Sequence, residues 1–371
     1  MRLALRELHR RPGRFVVATI VLTLIAMLLM FLGGLLDGLT AGNTGALRAQ
    51  QGELIVYSAD SRDSLVRSRI TPGVRGTVEG VVGPEHVAGL GSVQLGARRE
   101  GAGPRDLVSV VLFGYERAPT GLPDAIPARG RVYADDSLRS DGVGVGSVLR
   151  LGPARSPVRV VGFLEDSRYL GQGSLWGSLD TWRSVLAANR PDARVGPGVV
   201  QALLVSGVDS DPQATADTID RATEGATSTL TIAQAIDALP GVSQQRTVFN
   251  QIIGVTVAIA LIVVALFFAL ITVERTPLYG VLKAIGARSR TLFAGVLLQA
   301  IVVTLVASAI GVAASLVLDA AIPEGSIPFV ATSWRLLSSV AYLLLAAVVG
   351  CAFSLRRVLR VDPASAIGAG L

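Results

Sequence analysis

Cysteine, histidine and lysine are nearly missing from this 371-residue chain: it has one cysteine, two histidines and Lys283 as its sole lysine. The single Cys351 excludes an intramolecular disulfide, and its apolar neighbours suit a small buried side chain. His9 and His86 are far apart, which argues against a histidine-based metal site. Outside the membrane a Ser-His-Asp arrangement would have to be built on His86 alone, so no hydrolase is expected. A phosphate loop needs a Gly-rich turn running into Lys and then Ser or Thr, so that backbone N–H groups and the ammonium hold the phosphates. Lys283 lacks the upstream glycines and is followed by Ala284, so ATP hydrolysis is expected in another chain. The stretch from Gly142 to Gly146 is glycine-rich, but its glycines alternate with valines, which suits a strand and turn. Charge is scarce as well, at 17% of residues against about 25% in an average soluble domain.

Apolar residues take up that share: 50% of the chain is hydrophobic and the mean hydropathy is +0.54. A helix needs about 20 apolar residues to cross the hydrocarbon core. Four segments qualify, at residues 15–38, 248–273, 292–318 and 336–355. Backbone polar groups in lipid must be satisfied within the segment, so all four are expected to be helices. The first apolar run exceeds the length of a signal-peptide core and is read as a retained anchor. Residues 1–14, 274–291 and 356–371 together hold twelve basic and three acidic residues, whereas the remainder holds 22 basic and 25 acidic. The positive-inside rule then places both termini and the 274–291 loop in the cytoplasm, with residues 39–247 and 319–335 outside. The net charge of +6 is thus mostly topological and calls for no nucleic acid.

The long outer segment has room for a folded α+β domain. Strands are expected at Glu53 to Tyr57, Leu107 to Phe113, Val158 to Phe163 and Val199 to Val205. Helices are expected at Pro212 to Thr223, capped by Asp211, and at Ile232 to Leu239, capped by Thr231. Asp135, Asp136, Glu165 and Asp166 are read as a solvated surface. Small residues that let helices approach closely are found at Gly34 and Gly38 in the first span and at Ala307, Gly311 and Ser315 in the third. Either a dimer or intrachain packing would use them. No acidic or basic residue lies deep in a span, which disfavours ion-coupled transport.

The segment after the second span runs Glu274-Arg-Thr-Pro-Leu-Tyr-Gly-Val-Leu-Lys-Ala-Ile-Gly. It resembles the cytoplasmic loop of FtsX-like permeases, the membrane subunits of MacB-type (type VII) ABC transporters. Residues 4–15 resemble that family's N-terminal amphipathic helix, and Arg356 to Ile367 its C-terminal ending. One span, a large outer domain and three more spans match the family across the whole chain. The resemblance implies a coupling helix that docks on a separate ATPase subunit, carried here by Glu274, Arg275, Tyr279, Gly280, Leu282, Lys283, Ala284, Ile285 and Gly286. It departs at Leu278, where many members have an acidic residue, so no salt bridge to the ATPase is carried over at that point. It further implies a homodimer in a 2:2 complex in the bacterial inner membrane, with ATP and Mg held by the partner ATPase and none in this chain. Its expected work is export of a lipid, peptide or haem. The alternative is mechanical control of a cell-wall hydrolase through an extracytoplasmic protein partner. A receptor lacking any ATPase is the weaker third reading.

Overall fold

The computed structural model describes residues 12–103, 106–208, 211–274, 281, 285, 289–322 and 327–358. They form two compact units, one from the chain ends (to Gly38 and from Arg246) and one from Leu39–Gln245. In chain order the elements are α1 Pro12–Arg48, β1 Leu54–Ser58, α2 Pro72–Val82, β2 Val87–Arg99, β3 Val108–Tyr115, β4 Arg131–Asp135, β5 Val148–Leu151, β6 Ser156–Leu164 and β7 Gly173–Ser178. There follow α3 Leu179–Asn189, β8 Ala202–Val205, α4 Pro212–Ala222, β9 Thr227–Thr231, α5 Ile232–Asp237, α6 Val242–Glu274, α7 Ser289–Ala321 and α8 Ser333–Val358.

Four helices in the first unit are long and apolar enough to cross a membrane. Each exceeds its predicted span. α1 has 37 residues and α6 has 33, about 55 and 50 Å at 1.5 Å per residue, against a hydrocarbon core of about 30 Å. The expected outer loop at 319–335 is shorter than its boundaries, because α7 runs to Ala321 and α8 begins at Ser333. The helices bury small residues against one another, as packing in lipid requires. Ala18 and Leu22 of α1 share a cluster with Val264 and Phe268 of α6, Ala300 and Ala307 of α7, and Cys351 of α8. At Gly350 an added Cβ would stand 2.9 Å from the Leu261 carbonyl oxygen, so the glycine sets how closely α8 approaches α6.

The second unit is one nine-stranded sheet, in the order β3-β7-β4-β6-β5-β2-β8-β1-β9, with an added β2–β3 pairing that closes six strands into a ring. β2 makes this possible, being 13 residues long. Its first half pairs with β8, its end with β5, and most of its length with β3. Both faces of the central strands are buried. Leu54 and Val56 of β1, Val110 and Leu112 of β3, and Leu203 and Val205 of β8 enter one apolar cluster. Their alternating neighbours Ile55, Tyr57, Val111, Phe113, Ala202 and Leu204 enter a second. Such strands read as continuous apolar runs, not alternating ones.

The strands expected from sequence are found, shifted by one to three residues. β2, β4, β7 and β9 were not expected, since glycine interrupts β2 and β7 and both β4 and β9 are short. Nor were α2 and α3. α4 and α5 sit where the capping residues put them: Asp211 accepts from the Gln213 and Ala214 amides, and Thr231 closes a capping box with Gln234. Gly142 and Gly146 have positive φ ahead of β5, so that stretch is a turn leading into a strand. The solvated-surface reading fails for Asp135. It is buried, and accepts hydrogen bonds from the Ser167 amide and hydroxyl and from the Ser137 amide and hydroxyl. Four donors of this kind compensate the hydration that a buried carboxyl group loses.

One packing detail fixes the approach of α3. Gly91 and Gly114 are cross-strand partners, and a Cβ on either would stand 2.5 Å from the side chain of fully buried Trp182. The paired glycines make the seat for the indole. Gly114→Val should destabilise the outer unit by about 1–3 kcal/mol through overpacking, and Trp182→Ala by about 3–5 kcal/mol through the cavity it leaves. Thermal unfolding of the detergent-solubilised chain checks both. A Gly114→Val protein as stable as wild type would mean that α3 sits elsewhere.

Candidate functional site

Two sets of contacts lie along α1. The first is a clamp at residues 31–38 within the membrane unit. The Arg335 guanidinium, on the first turn of α8, donates from Nη2 to Asp37 Oδ1 at 2.5 Å and from Nε to both carboxylate oxygens at 3.2 Å. Such forked contact to a carboxylate fixes orientation as well as adding energy. Thr332 Oγ1 donates to the same carboxylate at 2.6 Å. Phe329 stacks on Phe31 with ring centroids 5.6 Å apart. The Val330 amide donates to the Gly34 carbonyl at 3.1 Å.

Three glycines leave room for this. An added Cβ on Gly33 would stand 2.5 Å from Arg335 Cδ, on Gly34 it would strike the Phe329 ring, and on Gly38 the Pro328 carbonyl. Gly34 and Gly38 thus pack against the 327–330 segment of their own chain. Ala307 and Ser315 are buried as well, and a Cβ on Gly311 would stand 3.0 Å from Ala26 Cβ. All five small residues singled out from sequence therefore meet intrachain neighbours or lie buried.

The second feature is a joint at residues 42–48, inside the outer unit. There the loop at residues 166–171, between β6 and β7, enters the backbone ladder of α1. The Ala46 amide donates to the Arg168 carbonyl at 3.0 Å. The Asn43 and Gly42 carbonyls accept from the Leu170 and Gly171 amides at 3.1 and 3.0 Å. Gly45 permits the approach, since a Cβ there would lie 2.5 Å from the Asp166 carbonyl oxygen. Insertion of outside groups into a helix ladder is a recognised cause of local bending. The loop itself holds Asp166 and Leu170 at φ of 50°, a left-handed conformation costly for residues with a Cβ and kept only where surrounding structure enforces it.

Side chains close the joint. Arg48 pairs with Asp166 at 2.9 Å, and Asn43 Nδ2 donates to Gln245 Oε1, on the first turn of α6, at 3.3 Å. Tyr169 packs edge-on against Phe113 with centroids 5.4 Å apart. Burial pushes its phenol up to about 12, so it stays neutral across the physiological range. Sequence reasoning missed this loop. Its only signal was the pair Gly42 and Gly45, in a stretch not expected to be helical.

The cytoplasmic segment is less fully seen. Arg275, Tyr279, Gly280, Leu282, Lys283, Ala284 and Gly286 lie outside the described residues. Glu274 is the last residue of α6. Val281 and Ile285 are described: the Ile285 amide donates to the Val281 carbonyl at 3.1 Å, one helical turn, and the two side chains are 57% and 79% exposed. No cluster of three or more potential metal ligands exists among the described residues.

Gly34→Leu should expel Phe329 and break the Val330–Gly34 hydrogen bond. Amide exchange by mass spectrometry should then be about tenfold faster or more in peptides covering 327–335, the loss of one bond worth about 1.4 kcal/mol. Equal exchange in wild type and variant would remove the clamp.

Residues 250–363 match the FtsX-like permease C-terminal family. The putative hemin transport system permease protein HrtB of Staphylococcus haemolyticus is 21% identical over 99% of both chains. Two uncharacterized ABC transporter permeases of Mycobacterium tuberculosis are each 26% identical over 98% of both chains. Among solved structures, the extracellular domain of the ABC-type transporter YknZ from Gram-positive bacteria gives a weak likeness, with a TM-score of 0.32 and 12% identity over 48% of this chain and 98% of that one. Such a permease works with a separate ATPase subunit. With four membrane-crossing helices, a sheet-rich unit between the first two and a match to the FtsX-like permease C-terminal family over the last three, this multi-pass membrane chain is similar along its whole length to permease subunits of ABC transporters.

Proposed function

We propose that this permease converts ATP-driven closure of its partner ATPase into movement of the outer unit, and thereby extrudes a hydrophobic or amphiphilic substrate. The chain itself hydrolyses no ATP. It lies in the inner membrane with both termini cytoplasmic, as the distribution of basic residues requires. The observation that carries the reading is the helical turn Val281–Ile285, whose two apolar side chains stand exposed in the loop between α6 and α7. An exposed apolar turn needs a surface to cover it. An ATPase groove supplies one, and the segment from Glu274 to Gly286 carries the family's coupling motif.

The path outward runs along α1 and α6, which extend beyond the membrane thickness without a break in either helix. A helix that is continuous from span to joint transmits a tilt or push; a flexible linker would absorb it. The substrate class rests on weaker support. The putative hemin transport function belongs to the name of the staphylococcal relative. Here Met27 is partly exposed and Met30 is buried against Gly311, so span one offers a haem little ligation. A lipid or lipopeptide suits the chain better.

Homodimerisation has its own support. Val248, Ile252, Val255, Ile259, Ile262 and Leu266 of α6 are all more than 40% exposed. Their alternating four- and three-residue spacing is that of a helix–helix seam. The second reading, control of an extracytoplasmic hydrolase without transport, uses the same joint and differs only in what the outer unit touches.

Two experiments test these proposals. Gly286→Pro and Lys283→Glu should each lower permease-stimulated ATPase activity in the reconstituted complex by about tenfold or more, as loss of an interface anchor does, with membrane insertion unchanged. Full stimulation in both variants would end the coupling assignment. In a Cys351→Ser background, Val255→Cys should cross-link to a second copy in membranes, whereas Leu305→Cys on α7 should not. The reverse pattern would place the dimer seam elsewhere.

A further inference from the structure

The outer unit carries a cleft of about 790 Å³ where the end of β2 meets the β5–β6 hairpin. Among the described residues its lining includes four arginines, Arg98, Arg99, Arg150 and Arg155, against the single acidic residue Glu100. Two strands place the central pair. In the β2–β5 register Arg98 lies directly opposite Arg150, and such partners on one face of an antiparallel pair have Cβ atoms about 5 Å apart. Like charges in that position oppose strand pairing. The chain bears that cost although the neighbouring cross-strand pairs, Ala97 with Leu151 and Arg99 with Leu149, each have at least one apolar member.

Glu100 offsets part of it, accepting from Arg150 Nη2 at 2.5 Å. Arg99 points elsewhere with one nitrogen, donating to the Gly142 carbonyl at 3.2 Å. The hairpin that presents Arg150 and Arg155 is held firmly. The Gly152 amide donates to the Gly96 carbonyl at 2.8 Å. Asn189, at the end of α3, accepts from the Ala154 amide at 2.9 Å and donates to Ser156 Oγ at 3.0 Å. Leu107 adds a 59% exposed apolar wall to the same cleft.

We infer that this cleft binds an oxyanion of the phosphate type, with Arg98 and Arg150 as its principal forks and Arg155 at the rim. A guanidinium presents paired N–H donors that match phosphate oxygens, and a dianion between Arg98 and Arg150 turns their repulsion into attraction to a shared partner. The phosphate belongs either to an anionic amphiphile, whose apolar part lies along Leu107, or to a soluble anion. The site stands apart from ATP coupling and does not depend on it.

The full-length chain in phosphatidylcholine nanodiscs, without ATPase, is titrated calorimetrically with inorganic pyrophosphate and with water-soluble dibutanoyl phosphatidic acid. Both should bind, more weakly as salt rises. Arg98→Gln/Arg150→Gln should weaken binding by about tenfold or more. Arg98→Lys/Arg150→Lys should fall between, keeping charge but losing the forks. Tighter binding of the phosphatidic acid assigns the site to an amphiphile, and equal binding to a soluble anion. The Gln double variant should keep the wild-type circular-dichroism spectrum and a cooperative thermal transition in the absence of ligand, and this separates loss of the site from misfolding. No binding of either probe to wild type, or undiminished binding by a stably folded Gln double variant, would overturn the assignment.

Discussion

Backbone hydrogen bonds between α1 and the 166–171 loop are the constraint on which the rest of the outer unit depends. A side-chain contact can slip or be replaced. Three main-chain bonds, from Ala46 to Arg168 and from Leu170 and Gly171 to Asn43 and Gly42, admit one register only. They fix the helix tail against β6 and β7, the strands on either side of the loop. Ala46 and Leu47 then become part of the same apolar cluster as Phe113, Tyr169 and Trp176. The strained φ of Asp166 and Leu170 is the cost of presenting three backbone groups to one helical turn.

The membrane unit has a constraint of a different kind. Hydrocarbon gives no general driving force for helices to associate, so shape and a few polar contacts decide the arrangement. Small residues supply the shape: Gly311 against α1 and Gly350 against α6. The Asp37–Arg335 pair supplies the polar contact between α1 and the first turn of α8, with both side chains 25% exposed. Ion pairs that face water freely contribute little to stability. This one is forked and partly shielded, and it sits beside the Phe31–Phe329 stack, which gives it a positional role. Clamp and joint occupy neighbouring stretches of a single helix.

In the proposed function the coupling motif meets a partner ATPase, the long helices carry displacement, and the outer unit meets the substrate or a protein partner. The polar side chains that are buried, such as Asp135 and Ser167, hold loops together. The arginine cleft differs, because it sets Arg98 and Arg150 opposite each other as like charges across the β2–β5 pair.

The sequence by itself determined the four spans, the presence of a domain between the first two and the family resemblance, because length, hydropathy and motif spacing are local properties that each segment carries on its own. It also located α4 and α5, whose caps at Asp211 and Thr231 are local hydrogen bonds. It did not show β2 or β7, where glycines that seat Trp182 and Leu138 look like strand breakers until their neighbours are known. It did not show that Asp135 is buried, since burial depends on Ser167, 32 residues away. It did not show that α1 continues to Arg48, because Gly42 and Gly45 disfavour a helix that only the 166–171 loop explains. Gly34 and Gly38 were legible as contact points, but their partners Phe329 and Pro328 lie almost 300 residues away. Only the tertiary structure decided these, because each is a contact between segments distant in sequence, and the pattern of one segment carries no record of what another will place against it.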